Sequence, residues 1–324
     1  MDGYIALETG RRRTLKAAIG CVGIGLHSGR RVQLTLRPAA PGTGILFRRT
    51  DAGFEVPALF DQVVDTRLCT ALGLVESPQH RIGTVEHVMA ALAGCGVDDA
   101  LVELDGPEVP ILDGSASAFV FLIDCVGLVA HGGLGLRQTE AIEVLRRVRV
   151  QEGEGPDAAW AELAPAAGSQ FEASLTIDFP TPAIGRQSLA LRLSPQAFRD
   201  ELAEARTFTM AEEVARLRAA GLALGGSLAN AVVVDGPLVL NPGGLRRPDE
   251  FVRHKLLDVV GDLALAGAPL RGRFNGYRSG HALNNRLLRA LFADRANWRA
   301  LPGGASVDGG ARMPVAAAAA AAVA

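Results

Sequence analysis

The order in which strands and helices are predicted repeats between the two halves of this 324-residue chain. Apolar runs rich in Val, Leu and Thr, interrupted by glycine and proline, predict strands in the first half at 15–23, 32–37, 44–49 and 66–72. A helix follows, from the N-cap residue Thr84 to a stop at Gly94, and then come a strand at 100–104 and a helix at 115–126. The first half is therefore strand-rich at its start and ends in a helix, a strand and a helix.

The second half follows the same plan. It opens with predicted strands at 141–150, 158–163, 171–178 and 188–193 and helices at 195–204 and 211–220. It closes with a strand at 231–234, a helix at 249–266, a strand at 270–277 and a helix at 281–292. A glycine cluster at 132–135 separates the halves. We therefore expect an α+β fold of two similar domains, 1–132 and 133–300, with a ligand-binding cleft between them and a Gly/Ala-rich flexible tail at 301–324.

Composition narrows the class of protein and of partner. A hydrophobic fraction of 48% excludes a disordered chain, and 33 basic against 35 acidic side chains leave no electrostatic footprint for nucleic acid. No apolar stretch is long enough for a transmembrane helix, and the start of the chain lacks the apolar core of a secretory signal. The four cysteines are widely spaced, which is typical of reduced thiols. We expect a cytoplasmic monomer that acts on a small or neutral substrate.

Three histidines lie in contexts that suggest chemistry. His254 and Asp258 are four residues apart, so on a helix they share one face, which is the spacing of two ligands of one metal ion; Asp262 extends that stripe. A surface pair at the same spacing is the commoner explanation for such a motif alone. His87 offers a third ligand, and three protein ligands leave a fourth position for water, as in hydrolytic zinc sites. Glu86 beside it fits a general base, although it also fits the first turn of a helix, where it complements the dipole.

Two further residues fit an active site of this kind. Lys255 is one of only two lysines and directly follows His254, so its ammonium suits an anionic intermediate or a substrate oxygen, or else it is an exposed helix cation. His281 lies where a glycine-containing turn enters a helix, and its imidazole suits a general acid oriented by Asp262. A histidine with a purely structural role is the alternative.

Several segments together resemble one enzyme family. They are GIGLHSG at 23–29, TVEHVMAALAG at 84–94, PILDGSA at 110–116, ARTF at 205–208, DEFVRHKLLDVVGDL at 249–263 and SGHALNN at 279–285. Between about residues 13 and 293, the chain resembles the UDP-3-O-acyl-N-acetylglucosamine deacetylases. That resemblance implies a zinc-dependent amidase of lipid A biosynthesis, which removes acetate from a UDP-linked, 3-O-acylated glucosamine. It also implies two domains, each a layered β-α-α-β sandwich, with the active site in the cleft between them.

The resemblance assigns roles residue by residue. His87, His254 and Asp258 would bind one Zn²⁺ per chain, with Fe²⁺ also acceptable to two imidazoles and a carboxylate. Glu86 would be the general base and His281 the general acid. The further expected roles are oxyanion stabilisation by Thr207, a charged substrate contact by Lys255 and support of His281 by Asp262. From the residues alone, Thr207 is also a candidate N-cap for the segment after it, and both roles are compatible.

The same resemblance implies contacts to both ends of the substrate. An apolar passage for the fatty chain would be bordered by Leu26, Phe208, Gly226, Ser227, Leu228 and Val233. Phe179 would stack on uracil, Arg278 would meet the diphosphate, and Leu68 and Cys69 complete the expected substrate contacts. Some relatives carry a basic residue where this chain has Ala159 and an aromatic where it has Leu228, which affects one phosphate contact and the width of the passage.

Two other functions fit the same constellation. One is a zinc amidase or peptidase with a different substrate, and the other is a catalytically silent ligand-binding homologue in which the metal only braces the two halves. Retention of both Glu86 and His281 favours hydrolysis over the silent homologue, because bracing needs neither residue. Acetate release from UDP-3-O-acyl-N-acetylglucosamine would separate the three.

Overall fold

A computed structural model of the chain describes residues 11–132, 141–155, 157–167 and 170–301. The first-half strands are β1 (Arg13–Leu15), β2 (Ile19–Ile24), β3 (Arg31–Pro38), β4 (Ile45–Arg49), β5 (Phe54–Pro57), β6 (Val63–Asp65), β7 (Ala71–Leu74), β8 (Ser77–Ile82), β9 (Ala100–Leu104) and β10 (Leu128–Ala130). The helices of the first half are α1 (Glu86–Cys95) and α2 (Ser117–Val126), and a 3₁₀ turn lies at Phe60–Gln62. Most of these strands form a five-stranded sheet in the order β2-β3-β9-β4-β5 and a three-stranded sheet β6-β7-β8, while β1 pairs with β10.

The later strands are β11 (Ala141–Val144), β12 (Val148–Glu152), β13 (Ala159–Ala164), β14 (Glu172–Asp178), β15 (Arg186–Arg192), β16 (Phe208–Met210), β17 (Val232–Asp235), β18 (Leu238–Val239), β19 (Leu270–Arg271), β20 (Arg273–Tyr277) and β21 (Trp298–Leu301). The helices are α3 (Pro195–Ala197), which continues into a π-helical turn at Phe198–Leu202, α4 (Ala211–Ala219), α5 (Glu250–Ala264) and α6 (His281–Ala293), followed by a 3₁₀ turn at Arg295–Asn297. The strands form a second five-stranded sheet, β12-β13-β20-β14-β15, and the small sheets β19-β11-β21 and β16-β17-β18.

The two five-stranded sheets have the same strand order. In each sheet, the strand that is last in the chain lies between the second and the third, and it runs parallel to the third: β9 to β4 and β20 to β14. The other neighbours are antiparallel. The architecture mixes helices with several separate sheets and is compatible with the α+β class that the sequence predicts.

Helices α1 and α5 bring the two halves together. Helix α5 packs on β14 and β15 as well as on α1, and α1 also packs on α2. The approach of α1 to α5 is close because Gly261 has no side chain: a Cβ there would lie 2.0 Å from the backbone oxygen of Glu86. The candidate site forms where these two helices meet, and its position therefore depends on that contact.

Several sequence predictions are wrong in detail. Thr84 is not an N-cap, because it adopts a left-handed conformation (φ 56°) and its hydroxyl donates to Glu108 instead. Helix α1 continues past Gly94 and ends at Cys95, before Gly96 in the left-handed region (φ 72°). At Gly94 the missing side chain makes room for the ring of Phe198, so this glycine serves packing and not termination.

Strand boundaries differ from the prediction as well. The segment predicted as one strand at 66–72 is a loop as far as residue 70, and the strand predicted at 141–150 is divided into β11 and β12. The helix predicted at 195–204 is α3 and its π-helical turn, and the strand predicted at 270–277 is divided into β19 and β20. The strands β5, β6, β8, β10, β16, β18 and β21 were not predicted. All but β8 have only two to four residues, too few to show a period, and the six residues of β8 are mostly polar and include a proline. Most of the predicted linker at 132–135 and of the tail at 301–324 lies outside the described residues.

Among the described residues, the structure has no helix that is both long and apolar enough to cross a membrane.

Candidate active site

Three ligand-type side chains meet where the first turn of α1 faces α5. His87 Nε2 lies 3.7 Å from Asp258 Oδ1, and His254 Nε2 lies 3.4 Å from the same oxygen. One ligand atom from each residue falls within 4.8 Å of the other two, and all three residues are buried. The helical spacing of His254 and Asp258 therefore places both on the face of α5 that meets α1, where His87 completes a group able to hold a metal ion.

The chemistry of these donors fits a metal ion. The Nδ1 atom of His254 donates to the carbonyl oxygen of Ala205 at 3.0 Å, so its Nε2 carries the lone pair that faces the cluster. Asp258 Oδ1 is buried without a hydrogen-bond partner in the described part of the chain. A buried carboxylate oxygen with no donor is costly unless something positive meets it. Burial also lowers the pKa of His87 to about 3, which keeps this imidazole neutral and able to coordinate.

Glu86 opens helix α1 beside these ligands. Its Oε2 accepts a hydrogen bond from the backbone N–H of Thr70 at 3.0 Å, and its Oε1 lies 3.9 Å from Nε2 of His281. Burial raises the pKa of Glu86 to about 7, and the positive charge of His281 opposes that rise. The carboxylate is thus held at the ligand cluster with a proton affinity near neutrality, as a general base requires.

His281 is the first residue of helix α6 and lies near Glu86. Burial alone would lower the pKa of His281, but the Asp262 carboxylate outweighs it, and the pKa rises to about 9. The Nδ1 atom of His281 donates to Asp262 Oδ2 at 2.9 Å. The imidazolium therefore presents its Nε2–H toward Glu86, where a leaving group can take that proton.

Two residues that the sequence analysis missed support Asp262. The hydroxyl of Thr70 donates to Asp262 Oδ1 at 2.6 Å, and the amide of Asn284 donates to Asp262 Oδ2 at 2.8 Å. Asn284 belongs to the SGHALNN segment, three residues after His281, so helical spacing could have indicated it. Thr70 is 192 residues from Asp262 in sequence, and no local pattern connects them.

Glu108 is a third missed residue. Its carboxylate accepts hydrogen bonds from the backbone N–H groups of His27 and Ser28 and from the hydroxyl of Thr84. It thereby ties the loop that contains Leu26 to the segment that leads into α1. Its position follows from the tertiary fold alone, because three separate segments meet there.

Lys255 contacts a ligand residue directly, whereas Thr207 lies two residues after Ala205, whose carbonyl accepts from His254. Thr207 directly precedes β16, so it is not a helix N-cap; α4 begins later and has Met210 as its N-cap. The ammonium of Lys255 donates to Asp258 Oδ2 at 2.6 Å. Burial alone would raise the pKa of Asp258, but its interactions with His254 and with the Lys255 ammonium lower it well below its usual range.

The residues expected at the fatty chain form a group around one loop. The backbone N–H of Gly225 donates to the carbonyl of Leu26 at 3.0 Å, and a Cβ at Gly226 would lie 3.6 Å from Cδ1 of Leu26. Ser227 and Leu228 continue this loop, and Leu228 is 43% exposed. Val233 lies in β17, paired with Thr209 of β16, next to Phe208. The ring of Phe208 lies 6.3 Å from that of His254, which connects this group to the ligand cluster.

The residues expected at the nucleotide lie on the second-half side. The ring of Phe179 meets that of Phe208 edge-on at 5.5 Å. Arg278 is exposed at the end of β20, three residues before His281, with its backbone in the left-handed region (φ 51°). Next to Ala159, the ring of Trp160 is covered by the guanidinium of Arg149 at 4.0 Å.

Leu68 and Cys69 directly precede Thr70. Leu68 is 54% exposed and adopts a left-handed conformation (φ 68°). Burial raises the pKa of Cys69 to about 12, so its thiol stays protonated. Both residues therefore lie immediately before Thr70, whose backbone N–H binds Glu86.

The sequence matches a known family over most of its length. The profile of the UDP-3-O-acyl N-acetylglycosamine deacetylase family covers residues 12–293. A protein of Shewanella halifaxensis named UDP-3-O-acyl-N-acetylglucosamine deacetylase is 46% identical over 291 residues, which are 89% of this chain and 91% of that protein. Proteins of the same name from Myxococcus xanthus and Haemophilus influenzae are 48% and 46% identical, covering 90% and 89% of this chain and 89% and 92% of their own lengths. This chain therefore belongs to the UDP-3-O-acyl N-acetylglycosamine deacetylase family.

Proposed function

We propose that this chain hydrolyses the acetamide of UDP-3-O-acyl-N-acetylglucosamine, giving UDP-3-O-acyl-glucosamine and acetate in lipid A biosynthesis. The names of its relatives support the substrate. The observation that carries the reaction is the pair of proton-transfer groups, Glu86 Oε1 and His281 Nε2, which lie 3.9 Å apart beside the cluster of His87, His254 and Asp258. Amide hydrolysis needs a base for the attacking water and an acid for the departing amine, and these two side chains supply both.

A single metal ion fits the ligand cluster. His87 Nε2, His254 Nε2 and Asp258 Oδ1 would hold one Zn²⁺ per chain, and Fe²⁺ suits the same two imidazoles and carboxylate. When bound, the ion supplies a Lewis acid that polarises the amide carbonyl and acidifies water.

Glu86 and His281 move the protons. The Glu86 carboxylate removes a proton from the water whose oxygen forms the new bond to the acetyl carbon. His281, held by Asp262, gives the proton at Nε2 to the amine nitrogen as the C–N bond breaks. The products are acetate and the free 2-amine of the sugar.

Thr207 and Lys255 flank the reacting group. The Thr207 hydroxyl stabilises the negative oxygen of the tetrahedral intermediate. Lys255 is held by Asp258 at 2.6 Å, and we propose that its ammonium also contacts a substrate oxygen.

The two ends of the substrate would occupy different surfaces. Leu26, Phe208, Gly226, Ser227, Leu228 and Val233 would border the fatty chain. Phe179 would stack on uracil, Arg278 would meet the diphosphate, and Leu68 and Cys69 would complete the substrate contacts. The exposed Leu228, where some relatives have an aromatic residue, would change the width of the passage. Ala159, where some relatives have a basic residue, would remove one phosphate contact.

The repeated strand order supports the expected domain organisation. We propose that residues 1–132 and 133–300 are two related β-α-α-β sandwiches, with α1 and α5 at their contact and the active site in the cleft between them. The cytoplasmic location and the monomeric state stay predictions.

The deciding experiment measures acetate. The purified, zinc-loaded chain should release one acetate per UDP-3-O-acyl-N-acetylglucosamine and expose one free amine, and UDP-N-acetylglucosamine without the acyl chain should be a much poorer substrate. Absence of release from the acylated substrate, with metal bound and the fold intact, would overturn the proposal.

Glu86→Gln provides the matched inactive variant. A glutamine side-chain oxygen can still accept from the Thr70 N–H, but it cannot take a proton, so turnover should fall by about 10²- to 10⁴-fold with zinc retained. Loss of zinc in this variant would make Glu86 a ligand or a support of one.

A further inference from the structure

Thr70 joins the two carboxylates on which the proposed proton transfers depend. Its backbone N–H donates to Glu86 Oε2 at 3.0 Å, and its hydroxyl donates to Asp262 Oδ1 at 2.6 Å. The residue is 1% exposed. Thr70 thus contacts the proposed base, Glu86, directly. It contacts the proposed acid, His281, through Asp262.

The hydroxyl fills a definite place around Asp262. Oδ2 of that carboxylate already accepts from His281 and Asn284, and the Thr70 hydroxyl approaches the other oxygen. Donors on both oxygens fix the rotation of the carboxylate about its Cβ–Cγ bond. That rotation in turn sets the tilt of the His281 ring, because Nδ1 of His281 follows Oδ2.

A packing role does not account for this side chain. Valine has nearly the shape of threonine, and a residue that only filled the core would gain nothing from a hydroxyl, which is costly to bury without a partner. Here the hydroxyl is aimed at a buried carboxylate, and a hydrogen bond to a charged group is among the stronger kinds.

The two partners of Thr70 come from different halves of the chain. Glu86 opens α1, whereas Asp262 lies in α5, and the two helices pack against each other. A small slip between these helices would change the separation of base and acid unless something fixed both carboxylates at once.

We propose that Thr70 is a positioning residue that aligns the Glu86 base with the Asp262–His281 pair across the contact between the two halves. This inference rests on the proposed function, since it concerns the residues that would transfer protons there. It predicts that the hydroxyl of Thr70 affects turnover through Asp262.

The first test removes the hydroxyl and keeps the shape. Thr70→Val retains the backbone N–H to Glu86, so kcat should fall by about 10- to 100-fold, the scale of a small misplacement of catalytic groups, with little change in KM and in zinc content. Thr70→Ser restores the hydroxyl and should recover most of the lost turnover. Unchanged kcat in Thr70→Val, or equal losses in the Ser and Val variants, would overturn the proposal.

Thr14 supplies the matched control. It is also buried, and its hydroxyl donates to the backbone oxygen of Asp99 at 2.7 Å, away from the active site. Thr14→Val should lower stability and leave kcat unchanged. If Thr70→Val does not fold, Thr70→Ala takes its place in the comparison with Ser.

A double-mutant cycle tests the route through Asp262. In an Asp262→Asn background, Thr70→Val should reduce kcat by less than about threefold, because coupled residues are not additive. The same fold-loss in both backgrounds would show that Thr70 acts independently of Asp262 and would overturn the proposal.

A spectroscopic readout separates this proposal from the proposed function. The ¹H–¹⁵N resonance of His281 Nδ1 in the zinc-loaded protein without substrate should move in Thr70→Val, return toward its native position in Thr70→Ser and stay fixed in Thr14→Val. An unmoved resonance in Thr70→Val would overturn the positioning role. Lack of acetate release by the unaltered chain would instead refute the proposed function, whatever the resonance does.

Discussion

His87 and His254 are prepared for coordination by burial. Burial lowers the pKa of both imidazoles, so each is neutral near pH 7 and has a lone pair available, and the bond from His254 Nδ1 to Ala205 determines which nitrogen faces the cluster. Asp258 Oδ1, which has no hydrogen-bond partner among the described residues, lies near the Nε2 atoms of both histidines.

Replacing any one ligand should release the metal. We expect His87→Ala, His254→Ala and Asp258→Ala each to lose bound zinc, because two protein ligands hold the ion too weakly against water. Asp258→Ala should also reduce stability, since it leaves the Lys255 ammonium without its partner. Metal analysis after gel filtration checks this.

His80→Ala is the control for these variants. The ring of His80, on β8, lies against that of Phe54 and outside the ligand cluster. The zinc content of His80→Ala should therefore equal that of the native chain. A full equivalent of zinc in any of the three ligand variants would remove that residue from the ligand set.

The pH dependence should follow His281. The acid must be protonated, so kcat/KM should fall as the pH rises through the pKa of His281, which Asp262 raises to about 9 against the effect of burial. The charge of a bound metal lowers that value. Asp262→Asn removes the principal raising group, so the basic limb should move to lower pH by about 1 to 3 units.

His281→Gln should flatten the basic limb and reduce the rate. The other charged groups that face His281 are Glu86 and Asp258, and both are unchanged in this variant. Profiles of the native chain and the two variants, compared at equal zinc content, provide the measurement. A basic limb that survives in His281→Gln would exclude His281 as the acid.

At the scale of elements, helix α5 supplies His254, Asp258 and Asp262, whereas Glu86 and His87 come from α1. Gly261 makes the approach of the two helices possible, because any Cβ there would collide with the backbone oxygen of Glu86. No side-chain rotation can relieve a clash with backbone.

Gly261→Ala should therefore destabilise the protein, even though alanine favours a helix over glycine by about 1 kcal/mol. Overpacking typically costs about 1–3 kcal/mol, and here the helices themselves must separate. Because Glu86 moves with α1, kcat should fall as well. Denaturant unfolding and acetate release measure the two effects.

Gly132→Ala serves as the control, since open space surrounds that exposed glycine. Native stability and turnover in Gly261→Ala would show that α1 and α5 are farther apart than this structure has them.

At the scale of the whole molecule, the fold continues beyond the region matched by the family. The match ends at residue 293, but β21 (Trp298–Leu301) pairs with β11, and Trp298 is 5% exposed. The two ends of the described second half thus meet in one small sheet.

Two truncated chains would separate the contribution of β21 to stability from that of the residues after Leu301. A chain ending at Leu301 should keep its melting temperature and its acetate release, because the proposed site residues lie between Leu26 and His281. A chain ending at Ala293 loses the buried Trp298, and its melting temperature should fall by roughly 5–20 °C. Loss of activity on cutting after Leu301 would assign the tail a role in the site.

The sequence alone determined the elements that repeat over many residues and the ligands that lie on them. Helices α5 and α6 were predicted nearly to their ends, and the four-residue spacing of His254 and Asp258 placed both on one face. These predictions succeeded because helical periodicity is local: residues three or four apart share a face whatever the rest of the chain does. The residues themselves also suggested His87, Glu86 and His281 as partners, and the family resemblance assigned them the same roles.

Only the tertiary structure decided how these pieces meet. It placed Thr70 on both Glu86 and Asp262, joined three segments at Glu108 and reassigned Thr84 from a helix cap to a partner of Glu108. It also showed why α5 carries a glycine at position 261. The physical reason is that a hydrogen bond or a close contact between residues far apart in the chain leaves no periodic trace, because its energy depends on the distance in space and not on the spacing in sequence.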